Sequence, residues 1–361
     1  MKRALRLALL SLAVALNALP LLAQAPEPSP SQTPEPPRVR LVATGGTISN
    51  RAGGRLTATE LLASIPGLGR YVRPEAEQFA NTASSDLSLE QWLQLARRLN
   101  ELFRSDAGLA GVVVSSGTDT LEELAYFLDL TVRDARPVVV VGSMRNPSTL
   151  GYEGAANLLE AFRVAAEPAS RGKGTLVVLN DEINAAREVT KTDALRLHTF
   201  QSRGVGLLGV VDPDRVVYYR QVVRRCGAGS EFDVAAIKVM PRVDVLLVYQ
   251  DAPGDLIKGA VDAGARGIVI AVAGAGATSG TQEEGLAYAL KKGAVVVMST
   301  RTGGGRVAAR SRQGGRGPVP EPFARLVSAE DLSPIKGRIL LMLALATTDD
   351  PGEIQRMFTE Y

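Results

Sequence analysis

The chain has 361 residues, with 41 lysines and arginines against 38 acidic residues, one histidine and one cysteine. A single cysteine excludes an intramolecular disulfide and a cysteine-based metal cage, and a single histidine excludes zinc chemistry of the HExxH kind. Setting aside Lys2, Arg3 and Arg6 leaves 38 basic against 38 acidic groups, so no cationic excess remains to attract nucleic acid.

Those three charges precede an apolar run from Leu7 to Leu22, broken by Ser11, Asn17 and Pro20, and Ala23-Gln24-Ala25 follows with the small residues a signal peptidase needs. Residues 1–25 therefore read as a signal peptide, and a periplasmic or secreted location with no stable membrane anchor is expected. Residues 26–37 hold six prolines, an extended polar leader outside the fold. The folded chain is expected to begin near Arg38.

From there strands and helices alternate. Val39–Ala43 is a short apolar strand ending at two glycines. Thr57 and Glu60 have capping-box spacing, as do Ser88 and Gln91 before an amphipathic helix from Trp92 to Leu102. Leu109–Val114 is an apolar strand, followed by a helix from Leu121 to Leu128, a strand over Pro137–Gly142, a helix over Ala155–Ala166 and a strand over Thr175–Leu179. After a polar stretch the alternation restarts, with strands at Val243–Tyr249, Gly267–Ala273 and Ala294–Ser299. Helices at Leu256–Ala263 and Glu283–Lys291 lie between them, and two more open at Pro334 and Pro351. Apolar strands bounded by glycine and followed by helices predict an α/β fold with a mainly parallel sheet and a second, smaller α/β domain. The expected boundaries are 38–220 for the N-terminal domain, 221–240 for a linker and 241–361 for the C-terminal domain.

Four polar features fall at strand ends, where such sheets carry their ligands. Thr44-Gly45-Gly46-Thr47 permits a tight turn and close approach of a ligand to backbone N–H groups, or is a structural turn. In Gly117-Thr118-Asp119-Thr120 a hydroxyl sits beside a carboxylate, and either side chain can instead cap the next helix. Glu122 and Glu123 suit that helix's positive end. Gly142-Ser143-Met144-Arg145 ends a third strand. Thr190-Lys191-Thr192 offers a lysine that needs burial or cationic neighbours to act as a base. His198 and Cys226 read as structural or incidental.

Together these features resemble the bacterial type II L-asparaginases of the asparaginase/glutaminase family. The resemblance is carried by LVATGGTIS from Leu41, GTDTLEELAYFLDLTV from Gly117, PVVVVGSMR from Pro137, REVTKT from Arg187 and RILLMLAL from Arg338. It implies hydrolysis of the asparagine side-chain amide to aspartate and ammonia, often with glutaminase activity, without metal or organic cofactor, in a homotetramer of two close dimers. It assigns Thr47 as nucleophile and Thr118, Asp119 and Lys191 as its catalytic partners. Substrate contacts would come from Gly46, Ser84, Ser85, Gly117, Thr118, Asp119 and Ser143. The chain departs from the pattern at Ser116, where relatives carry histidine, and at Ser85, where they carry glutamine. The segment Ser49–Thr57 lacks the usual tyrosine, and the neighbour-supplied asparagine and glutamate have no clear counterpart. An arginine-rich stretch, with Arg306, Arg310 and Arg312, stands there instead. It leaves open an amidohydrolase for a modified or acidic amide, and a non-catalytic periplasmic amino-acid-binding homologue is a further alternative.

Overall fold

The computed structural model describes residues 35–309 and 321–361. Residues 1–25, expected to be a signal peptide, most of the proline-rich leader, and Arg310 and Arg312 lie outside the described residues.

The first half runs β1 (Arg38–Gly45), a small hairpin of β2 (Asn50–Arg51) and β3 (Gly54–Arg55), α1 (Ala58–Ala63), β4 (Arg73–Thr82), α2 (Leu89–Ser105), β5 (Leu109–Ser115), α3 (Leu121–Thr131), β6 (Val138–Val141), α4 (Gly154–Ala166) and β7 (Thr175–Leu179). The chain then turns back through β8 (Glu182–Ala185), β9 (Thr190–Lys191), β10 (Phe200–Gln201), β11 (Gly209–Val211) and β12 (Val216–Tyr218). Eight strands form one sheet in the order β12-β11-β8-β7-β6-β5-β1-β4, parallel from β4 to β7 and antiparallel beyond. Both expected capping boxes form, Thr57 with Glu60 ahead of α1 and Ser88 with Gln91 ahead of α2.

The second half supplies β13 (Val243–Leu247), α5 (Asp255–Asp262), β14 (Gly267–Val272), α6 (Gln282–Lys291), β15 (Val295–Thr300), β16 (Val327–Ser328), α7 (Pro334–Leu345) and α8 (Pro351–Glu360). Its four strands make a smaller, all-parallel sheet. No helix among the described residues is long and apolar enough to cross a membrane.

Strand β4 carries no alternating apolar signal, and its sequence RPEAEQFANT gave no expectation of a strand. It lies at the sheet edge, where its outer side needs no apolar cover. Its acids instead face basic neighbours: Glu75 meets Arg38 at 2.6 Å and Arg40 at 2.5 Å, and Glu77 meets Arg98 at 2.7 Å. Charged side chains on an edge strand also discourage pairing with another chain.

The helices α2 and α3 cover one face of the large sheet, and α3 also packs on α7 from the second half. One continuous core thus joins Trp92, Phe127 and Leu128 with Leu340, Leu341 and Phe358. Asp129 is one of two buried acids on α3, with Glu122. Asp129 Oδ1 accepts from the Thr175 N–H at 2.7 Å. Burial pushes its carboxyl up to about 7, against the lowering by the Thr175 amide and by Lys336.

A folded-state value of about 7 above an unfolded value of about 3.9 means that the folded protein binds the extra proton between those limits. The contribution of Asp129 to stability is therefore present at low pH and lost as pH rises through that window. Asp129→Asn keeps an acceptor for Thr175 and removes the charge. Urea unfolding at pH 8 is expected to show the variant more stable by at least ~1 kcal/mol, with a flatter pH dependence between about 4 and 7. An unchanged pH dependence would show the carboxyl is not the cause.

Candidate active site

Because β4, β1, β5 and β6 run parallel, their carboxyl ends finish along one edge of the sheet. Ala43 on β1 pairs with Ser115 on β5, and Gly45 pairs with Thr82 on β4. The Thr44 hydroxyl donates to the Ser115 carbonyl at 2.8 Å, locking β1 to β5 just before both turn away.

Gly45 and Gly46 then take positive φ, 108° and 87°. Space is as restrictive as the dihedral angle. A Cβ on Gly46 would stand 2.1 Å from the Gly117 nitrogen, and one on Gly117 would stand 2.8 Å from the Ser84 hydroxyl oxygen. Turns after three strands therefore touch at one point. Thr47 opens a single 3-10 turn there, Thr47–Ser49, and is half-buried. That turn is held from outside. The Tyr152 hydroxyl donates to the Ile48 carbonyl at 2.9 Å, and Arg55 Nη1 donates to the Gly46 carbonyl at 3.3 Å. Burial first, and Glu153 second, push the Tyr152 phenol up, so it stays a donor.

Thr118 is buried, and neither it nor Asp119 caps the next helix. The N-cap position of α3 is Thr120, with no side-chain cap bond. Instead Lys191 Nζ lies 3.1 Å from Thr118 Oγ1 and 2.8 Å from Asp119 Oδ1. The Lys191 side chain is 16% exposed and that of Asp119 77%, so the lysine is shielded and the carboxylate faces outward. A hydroxyl, an amine and a carboxylate in hydrogen-bond contact can pass a proton to and from a group bound above them.

Ser84 follows β4 in a short 3-10 turn and is buried beside Gly117, while its neighbour Ser85 is exposed. Ser143 is fully buried and donates to the Arg145 carbonyl at 2.6 Å, so its hydroxyl is committed to its own loop. The hydroxyl of Ser116 is buried and has no hydrogen-bond partner among the described residues. Arg306 pairs with the buried Glu330 at 2.6 Å, while its own side chain stays 58% exposed. Burial raises the Cys226 thiol to about 12, leaving it unreactive. His198 is largely exposed, 3.6 Å from Glu182.

Two contacts were not foreseen. Glu122, read from sequence as a partner of the helix dipole, accepts from the Lys191 N–H at 3.0 Å and the Thr190 hydroxyl at 2.9 Å. Lys336 reaches the same turn from α7. The one sequence signal for it is a lysine in the first turn of a helix that is apolar from Ile339 onward.

Residues 38–224 match the family model described as Asparaginase, N-terminal, and residues 242–358 match the Glutaminase/Asparaginase C-terminal domain. The chain is 40% identical over 345 residues to L-asparaginase 2 of Bacillus subtilis (strain 168), covering 92% of this chain and 89% of that protein. It is 36% identical over 333 residues to the glutaminase-asparaginase of Pseudomonas fluorescens biotype A, covering 90% of each. The crystal structure of a probable cytoplasmic L-asparaginase from Campylobacter jejuni superposes with a TM-score of 0.83 at 37% identity, covering 90% of this chain and all of that one. This last match corrects the expectation of a periplasmic or secreted location. The same fold is described there for a probable cytoplasmic protein, so the fold itself carries no export requirement. With the two halves of the family matched in order over a shared edge of Thr47, Thr118, Asp119 and Lys191, the chain belongs to the asparaginase/glutaminase family and is an amidohydrolase of that type.

Proposed function

We propose that the protein hydrolyses the side-chain amide of L-asparagine to L-aspartate and ammonia through a threonine acyl-enzyme. The observation that carries this reading is Lys191 Nζ placed between Thr118 Oγ1 and Asp119 Oδ1, next to the turn that bears Thr47. Thr47 is the nucleophile carried over from the family resemblance. Its oxygen attacks the amide carbon, its proton passes to the leaving nitrogen, and ammonia departs as the ester forms. Water then adds to the ester, gives one proton back to Thr47 and releases the acid. Lys191 and Thr118 relay protons, and Asp119 holds Lys191 and receives the substrate ammonium at its exposed face. Ser84, buried against Gly117, is placed for the substrate α-carboxylate. The relative named glutaminase-asparaginase favours glutamine as a second substrate of the same site.

Thr118→Ala, with folding verified by circular dichroism, is expected to lower kcat for ammonia release by at least ~10²-fold. Combining it with Thr47→Ala should cost less than the product of the single losses, because the groups act as a unit. Wild-type kcat in Thr118→Ala would show that the cluster is assigned wrongly.

Gly46→Ala tests the close approach directly. A methyl group 2.1 Å from the Gly117 nitrogen must displace the backbone that leads into Thr118. The variant is expected to lose at least ~1 kcal/mol of stability through the positive φ and, where folded, at least ~10²-fold in kcat. Wild-type activity would mean that this contact does not set the geometry.

Self-association into a homotetramer of two close dimers is part of the same reading. Light scattering at micromolar concentration is expected to give four times the chain mass, and a monomer mass would refute it.

A further inference from the structure

Helix α7 is buried without a break from Ile339 to Leu345, yet its first turn holds Lys336, itself fully buried. Both placements disfavour a cation. The start of a helix carries positive partial charge, and burial pushes the ammonium down to about 8. Compensation comes from the turn between β8 and β9. Lys336 Nζ donates to the carbonyls of Ala186 at 2.8 Å, Arg187 at 3.0 Å and Val189, and lies 3.9 Å from Glu122 Oε2.

Glu122 is the other half of the arrangement. It is buried in the first turn of α3, three positions after Asp119. Its Oε1 takes the Lys191 N–H and the Thr190 hydroxyl, whereas its Oε2 has no hydrogen-bond partner. The other charged groups facing Lys336 are already engaged. Asp129 accepts from Thr175, Glu188 is paired with Arg220, and Arg187 donates to Asp331 and to the Tyr361 carbonyl. The unsatisfied oxygen of Glu122 is left to the charge of Lys336.

We propose that the buried Lys336–Glu122 pair is a positioning device for the reaction. Glu122 ties the start of α3, and so Thr118 and Asp119, to the backbone of Lys191. Lys336 sets its charge 3.9 Å from that carboxylate and gathers three carbonyls of the Ala186–Val189 turn that delivers Lys191. Removing the cation leaves a buried carboxylate without its neighbouring charge, so the pair rearranges, and the turn loses its common donor. Lys191 Nζ then no longer rests between Thr118 and Asp119. The inference relies on the proposed role of Lys191, and it makes a residue of the second half a determinant of geometry in the first.

The test compares wild type with Lys336→Met, Glu122→Gln, the double variant and Lys191→Met, measuring kcat and KM for asparagine and thermal unfolding. Lys336→Met is expected to lower kcat at least ~10-fold with KM changed less than ~3-fold. Adding Glu122→Gln should restore at least ~5-fold of the lost kcat, because no buried charge is then left alone. Multiplicative losses, or unchanged kcat in folded Lys336→Met, overturn the proposal. If Lys336→Met does not fold, the near-isosteric Glu122→Gln decides alone: a kcat loss of at least ~10-fold with KM retained supports the proposal, and wild-type kcat overturns it. Inactive Lys191→Met beside fully active pair variants rejects only the positioning role. Active Lys191→Met rejects the mechanism on which it rests.

Discussion

The contact between Gly46 and Gly117 governs the geometry of the site. Two neighbouring parallel strands end at the same level, and the turns that leave them meet backbone to backbone, with no room for a Cβ on Gly46. That closeness brings a threonine from each turn to one spot although β1 and β5 are separated in sequence by a hairpin, two helices and the edge strand β4. Ser84 closes the third side because β4 pairs with β1 on the opposite flank. A sheet edge of this kind is rigid for a reason external to the site. The strands behind it are buried on both faces, so the turns inherit the precision of the core.

Lys191 arrives differently. It does not end a strand of the parallel set but follows a reversal of the chain after β8, and a short ladder with β10 is its own regular support. The turn before it compensates by reaching into the second half of the molecule. Arg187 makes a bidentate pair with Asp331, at 2.7 and 3.0 Å, and a further bond to the Tyr361 carbonyl. Buried or half-buried ion pairs of this sort add little net stability, because desolvation offsets their attraction, but breaking one side is costly. Their effect is to make one arrangement of the turn much better than its alternatives. The continuous core between α3 and α7 serves the same end by fixing the two halves against each other.

The elements legible from sequence were those whose cause is local. Both capping boxes, the apolar strands at Leu109 and Pro137, and the glycine turn after β1 are set by residues a few positions apart, and they formed. Four site residues were visible as polar groups at strand ends, yet spacing alone left Asp119 as readily a helix cap as a functional group. Only the packing of β9 against the start of α3 decides between them. Strand β4 escaped notice because its stability comes from ion pairs with Arg38, Arg40 and Arg98, which no periodicity encodes. Glu122 stands in the first turn of α3 as expected, but its partners 68 and 69 residues further on leave no local trace. The bond from the Ser143 hydroxyl to the Arg145 carbonyl was likewise not legible in the sequence. The location failed for another reason: it rested on residues outside the fold, and the fold places no demand on it.

Asp119 and Lys191 show how far geometry alone goes. Their contact is 2.8 Å, but the carboxylate is 77% exposed, and water weakens an open pair enough that it contributes little to folding. The same two charges become far more effective once the opening is covered, because their attraction to each other and to a bound ammonium grows as water leaves. Lys191 is already shielded by the chain around it, whereas Asp119 needs a cover from above. A bound substrate would supply that cover. The single chain therefore builds the hydroxyls, the amine and the backbone turns to final precision. It leaves the electrostatics of its most exposed catalytic candidate to be completed by whatever closes the site.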